Sequence, residues 1–197
     1  MIALGDLNID CKSNAFSRLI TLNIKEGFWH RSRYKNAVSQ EGGRDMYNTI
    51  LVPLDGSARA EDILPHVVEL ASKYQSTVML MRVVEIKIGF DGAEFMSMAG
   101  GTELAMAIEE DKISAETYLN EIKARLKAEG IETKTRVAFG PVVDGIILAA
   151  QQEHADLIAM ASHGRTGAAC VFYGCVATGV LHRVDRPLLI VRSQRAD

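Results

Sequence analysis

From Met46 onward the chain alternates short, nearly continuous apolar runs with longer segments whose apolar residues recur at helical spacing. This alternation constrains the fold more than any other feature. The runs fall at Thr49 to Leu54, Thr77 to Val84, Glu132 to Phe139, Leu157 to Ala161 and Leu188 to Val191, and runs of that kind read as strands buried on both faces. Four helical segments lie between them. Ala58 to Lys73 places Ile63, Leu64, Val67, Leu70 and Ala71 on one face, with Pro65 predicting a kink or a late start. Leu104 to Glu129 repeats Ile108, Ala115, Leu119, Ile122 and Leu126, and Gly130 follows where a C-terminal cap belongs. Val142 to Glu153 and Gly174 to Val184 complete the set. Strands separated by helices require a parallel sheet covered on both sides. The sequence therefore predicts a doubly wound α/β domain, an open Rossmann-like sheet of five parallel strands with helices on both faces.

At 197 residues the chain has room for one well-buried domain and an appendage. Residues 1–45 are that appendage: they carry seven Lys or Arg against five Asp or Glu, while the whole chain has a net charge of −3. The stretch from Trp29 to Asp45 has neither helical nor strand period and ends beside a glycine pair. We expect residues 1–45 to be an extension that is disordered or not translated, 46–193 to be the folded domain, with Met46 as its start, and 194–197 to be a tail. A net charge of −3 gives no electrostatic footing for nucleic acid. No apolar run approaches the ~20 residues of a membrane span, and the N-terminus lacks the order of a secretory signal. The expectation is a cytoplasmic protein that contacts neither nucleic acid nor membrane. Cys11, Cys170 and Cys175 show no C-x-x-C and no zinc-type pairing with His, which indicates neither a disulfide framework nor a structural metal.

Chemistry concentrates where the fourth apolar run ends. Ser162-His163-Gly164-Arg165-Thr166-Gly167 follows it, and Gly174-Cys175-Val176 opens the last helix. A strand that breaks into a glycine-containing loop and re-enters a helix converges backbone N–H groups on one point, which suits a phosphate. Arg165 reads as a phosphate contact or a solvated loop charge. Asp55, in Asp55-Gly56-Ser57 after the first strand, either caps the following helix or reaches a ribose or metal. The segment Ile86 to Thr102, with four glycines among Phe90, Phe95, Met96 and Met98, is a lid over the strand ends or a surface insertion. His163 positions the loop; His66, His154 and His182 fall on helical segments as surface or packing residues. Cys170 precedes Cys175 by five residues, close enough for a redox pair, although unassisted cysteine is the plainer reading.

Tyr47-Asn48-Thr49-Ile50-Leu51-Val52-Pro53-Leu54-Asp55-Gly56-Ser57, Val83-Val84, Gly140-Pro141, Met160-Ala161-Ser162-His163-Gly164-Arg165, Gly174-Cys175-Val176 and Arg186-Pro187-Leu188-Leu189-Ile190-Val191 together resemble a universal stress protein from Met46 to Arg192. The resemblance implies a sheet of the adenine nucleotide alpha hydrolase type, binding of ATP with Mg2+ or of a related adenine nucleotide, and homodimers. It places Pro53 and Val83 in the adenine pocket, Met160 at its floor, Asp55 on the ribose and phosphate side, Gly164, Arg165, Thr166 and Gly167 in the phosphate cradle, and Cys175, Val176 and Ala177 at the helix N-terminus beyond it. The family's ATP signature is Gly, two residues, Gly, nine residues, then Gly followed by Ser or Thr. Here it reads Ala161, Gly164, Gly174, Cys175.

Two positions of the signature thus depart. The methyl of Ala161 matters only if the backbone there has positive φ or a phosphate approaches too closely for a Cβ. Cys175 exchanges a hydroxyl for a weak donor, at a cost of roughly 0.5 to 1.5 kcal/mol for one hydrogen bond. The last strand is apolar and, as an edge, needs a partner, which a second copy pairing antiparallel would provide. The combined expectation is a stress-response regulatory protein that binds an adenine nucleotide, forms a homodimer through its C-terminal strand and at most hydrolyses ATP slowly. The competing reading is an interaction module of the same fold whose site has decayed.

Overall fold

The computed structural model describes residues 19–21, 46–85, 102–163 and 174–193. In chain order the elements are β1 (Leu19–Thr21), β2 (Thr49–Pro53), a 3-10 turn (Ala60–Ile63), α1 (Leu64–Tyr74), β3 (Thr77–Val84), α2 (Thr102–Ala128), β4 (Thr133–Phe139), α3 (Val142–Gln152), β5 (Leu157–His163), α4 (Cys175–Arg183) and β6 (Leu188–Ser193). All five expected strands form. Pro65 delays α1 rather than kinking it: the 3-10 turn carries the chain to Leu64, and the proline sits in the first helical turn, where its missing N–H costs nothing. His154 departs from expectation, lying not on a helix but at the turn after α3 with φ of 50°.

The sheet order is β1-β6-β5-β2-β3-β4, and β2 to β6 run parallel. One face packs Ile50, Val52, Val78, Leu80 and Leu157 against α1 and α2 through Leu64, Val67, Leu119, Ile122 and Leu126. The other packs Leu51, Met79, Met81, Ile158 and Met160 against α3 and α4 through Ile146, Ala149, Ala177 and Val180. Burial on both faces is why these strands read as unbroken apolar runs.

From β2 the chain winds outward to β3 and β4, then returns to build β5 and β6 on the other side. The reversal lies between β2 and β5. Only Ile50↔Leu157 and Leu51↔Ile158 pair across it, whereas β3 and β4 pair from Val78↔Thr133 to Val84↔Phe139. Beyond Leu51 and Ile158 no ladder pair joins the two strands, and the carboxyl ends at such a reversal are the crevice position where open α/β sheets take ligands.

Two polar clips close the opposite end. Asp156 Oδ2 accepts hydrogen bonds from the N–H groups of Asn48 (2.8 Å) and Thr49 (3.0 Å), tying the starts of β5 and β2 together. Arg186 Nη1 donates to the carbonyls of Ala150 (2.6 Å) and Ala155 (2.8 Å), capping the end of α3 against the approach to β6.

The structure also adds a strand that the periodicity does not reveal. Leu19–Thr21, inside the expected extension, pairs antiparallel with the outer edge of β6, in register Leu19↔Val191, Ile20↔Ile190 and Thr21↔Leu189. That is the edge on which the sequence reading places a second subunit.

Candidate functional site

Side chains on alternate strand positions decide what lines the crevice. Met160 and Val83 belong to the α3/α4 side of the sheet, and Pro53 shares that side with Leu51 by alternation. These three expected adenine-pocket residues thus converge on one face at the ends of three strands. Val83 is held there by an absent side chain: a Cβ on Gly145 of α3 would lie 3.0 Å from Val83 Cγ2.

Asp55 stands exposed at the rim, and its Oδ1 accepts a 2.8 Å hydrogen bond from Ser57 N. Ser57 Oγ in turn accepts from Ala60 N at 3.2 Å at the start of the 3-10 turn. Asp55 and Ser57 therefore both shape the turn that leads into the 3-10 segment.

Across the crevice α4 begins at Cys175. Gly174, its N-cap, adopts φ 76° and ψ 156°, a conformation that essentially only glycine occupies. The N–H groups of Cys175, Val176 and Ala177 are those of the first turn, which find no acceptor within the helix itself. Cys175 and Val176 are exposed, whereas Ala177 is buried in the core between α4 and the sheet. Cys175 thus stands at the first helical position, where the signature has its hydroxyl. Gly164, Arg165, Thr166, Gly167 and Cys170 lie outside the described residues, as does most of the Ile86 to Thr102 segment.

Ala161 answers the question that its methyl raises. It lies in β5 paired with Val191, is not among the residues with positive φ, and packs against the α1/α2 core, away from α4. Neither backbone strain nor its Cβ obstructs the crevice.

Sequence reasoning missed the next residue. Ser162 is 2% exposed, and its Oγ has no hydrogen-bond partner among the described residues. By alternation with Met160 it faces the α4 side. A buried hydroxyl without a partner costs about 1 to 3 kcal/mol, so natural structures keep one where something else supplies the bond. The signal in the sequence was a serine at the end of an otherwise apolar strand.

The opposite side of the sheet is committed to its own contacts. The Arg82 guanidinium packs over the Tyr118 ring at 5.9 Å, and Arg125 Nη1 pairs with Glu61 Oε2 at 2.8 Å. Burial, reinforced by the Glu61 carboxylate, pushes the Tyr118 phenol well above its ordinary value, so it stays a neutral donor toward Glu61. A groove of about 780 Å³ on this side is lined by four carboxylates, Glu61, Asp62, Glu69 and Glu129, against the two guanidiniums of Arg125 and Arg192, which leaves it net acidic. Among the described residues no three His, Cys, Asp or Glu gather as a metal cluster, and no helix is long and apolar enough to cross a membrane.

A family model described as the universal stress protein family matches residues 46–192. A universal stress protein of Methanocaldococcus jannaschii is 28% identical over 159 residues, covering 77% of this chain and 98% of that protein. Its solved structure superposes with a TM-score of 0.60, covering 77% of this chain and 99% of the other. Two further structures share the fold: a universal stress protein in complex with cAMP, at 20% identity, TM-score 0.55 and coverage of 76% and 99%, and one from Archaeoglobus fulgidus in complex with dAMP, at 20% identity, TM-score 0.53 and coverage of 74% and 98%.

Proposed function

The chain belongs to the universal stress protein family, and from that premise we propose that it is a cytoplasmic regulatory protein of the stress response that binds ATP or a related adenine nucleotide. The observation that carries this reading is the buried Ser162 hydroxyl, without a hydrogen-bond partner among the described residues, on the α4 side of β5 beyond the last pairing of β2 with β5. The Ser162 hydroxyl and the first-turn amides of α4 can both donate hydrogen bonds, and a nucleotide phosphate is rich in acceptors. Pro53, Val83 and Met160 would supply the apolar wall for the base, with Asp55 toward the ribose. The amides of Cys175, Val176 and Ala177, together with Gly164, Arg165, Thr166 and Gly167, would hold the phosphates, and Mg2+ would offset their charge. Fold neighbours solved with cAMP and dAMP support an adenine ligand.

The reading is binding rather than rapid turnover. The wall side chains Pro53, Val83 and Met160 are apolar, and they orient a ligand but do not abstract a proton. The test is to purify the full chain, assay it for copurified nucleotide, and titrate ATP with Mg2+ into wild type and Cys175→Ser. Binding to both is expected. Binding to Cys175→Ser alone would identify a site disabled by the thiol, and binding to neither would favour an interaction module with a decayed site. We further propose a homodimer through β6, whose formation depends on what occupies that strand's outer edge.

A further inference from the structure

The two outer strands of the parallel sheet differ in how they meet solvent. β4, at one end, carries Lys134 and Arg136 within Thr133–Phe139, and charged residues of that kind discourage pairing with a foreign strand. β6, at the other, presents Leu188, Leu189, Ile190 and Val191 in succession, each 3 to 5% exposed. Such an edge needs a cover, and β1 supplies one.

We propose that Leu19–Thr21 is an intramolecular cap on the β6 edge, which excludes a second copy of the chain from pairing there until the cap is released. The exclusion rests on the proposed dimer described above; the cap itself does not. Its polarity supports competition. β1 runs antiparallel to β6, the sense that two copies of β6 adopt about a twofold axis. Both occupants therefore use the same outward-facing backbone groups of Leu189 to Val191, and they cannot be present together.

Chain length permits the cap to come from the same molecule. β1 and β2 are three strand spacings apart in the sheet, ~14 Å. Residues 22–48 connect them, and a chain of that length reaches as far as ~90 Å when extended. A tethered segment acts at an effective concentration of order millimolar, against which a second copy at micromolar concentration competes poorly. Yet β1 has only three residues, so few ladder bonds hold it, and the cap is releasable. Because a dimer needs both chains open, a cap closed ten times as often as open weakens dimerisation about 100-fold.

The test uses the full chain. Ile20→Pro, and separately Leu19→Pro with Thr21→Pro, remove ladder N–H groups from alternate positions, so at least one variant loosens the cap. Sedimentation across a concentration series is expected to show dimerisation at concentrations on the order of 10- to 100-fold lower than wild type in that variant. A second measurement isolates the cap. Ile20→Cys with Ile190→Cys, in a background with the three native cysteines replaced by Ser, places thiols at a directly opposed pair whose spacing suits a disulfide. An intramolecular crosslink is expected. A crosslinked dimer, or no crosslink, would overturn the cap. An intramolecular crosslink combined with unaltered association in both proline variants would overturn the exclusion and the β6 dimer, leaving nucleotide binding untouched.

Discussion

Ala161 and Cys175 look equivalent as departures from the nucleotide signature, and the structure separates them. The methyl of Ala161 is absorbed by the α1/α2 core, so the position demands nothing of a ligand. Cys175 stands exposed at the first turn of α4, where the exchange of hydroxyl for thiol falls. Restoring the hydroxyl in Cys175→Ser should tighten ATP binding by roughly 2- to 10-fold, the worth of one ordinary hydrogen bond. Calorimetric titration would measure this, and equal affinities would mean that the sulfur does not meet the phosphate. Ser162 is the complementary case. Because its hydroxyl lacks a partner among the described residues, Ser162→Ala should leave the ligand-free chain as stable or about 1 kcal/mol more stable. The same change should weaken nucleotide binding several-fold. A denaturation series with and without ATP separates the two effects, and a loss of stability without ligand would show that the hydroxyl serves the fold.

The elements that frame the crevice depend on close helix contacts. α3 and α4 approach each other because Gly179 has no side chain: a Cβ there would sit 2.8 Å from Val143 Cγ2. Val143 is β-branched and stiff, so it does not swing aside at low cost. Gly179→Ala should therefore destabilise the protein by ~1 to 3 kcal/mol, despite the ~1 kcal/mol that alanine gains over glycine in a helix. Thermal or urea unfolding would register the change, and adding Val143→Ala should recover part of the loss. Strictly additive effects would place the strain elsewhere. Both contacting residues were legible as helical positions in the sequence. Their contact was not, because Gly179 and Val143 lie on different helices and nothing local signals the pairing.

At the scale of the whole molecule, the sheet is organised by non-local polar clips as well as by apolar burial. Asp156 spans more than a hundred residues of chain to bind the N–H groups of Asn48 and Thr49, and Asp156 N returns a 2.9 Å bond to the Thr49 carbonyl. β2 and β5 share only two paired positions, so this clip anchors the closed end of the crevice. Asp156→Ala should cost about 1 to 3 kcal/mol by leaving two strand-end donors without their carboxylate. Urea unfolding would measure it, and an unchanged midpoint would mean that water replaces the carboxylate without loss.

The sequence alone determined the five buried strands, the helices between them, the position of Pro65 and the candidate site at the ends of the first, second and fourth apolar runs. Those features are written in spacing: helical and strand periods are local properties of the chain, readable from side chains a few residues apart. Tertiary structure alone decided that the pairing of β2 with β5 ends at Ile158, that the methyl of Ala161 and the hydroxyl of Ser162 fall on opposite faces, and that Leu19–Thr21 takes the β6 edge. Strand pairing is made by backbone N–H and C=O groups, which every non-proline residue carries alike. Leu-Ile-Thr therefore has no sequence signature for its partner, and only the folded sheet shows which edge was open to it.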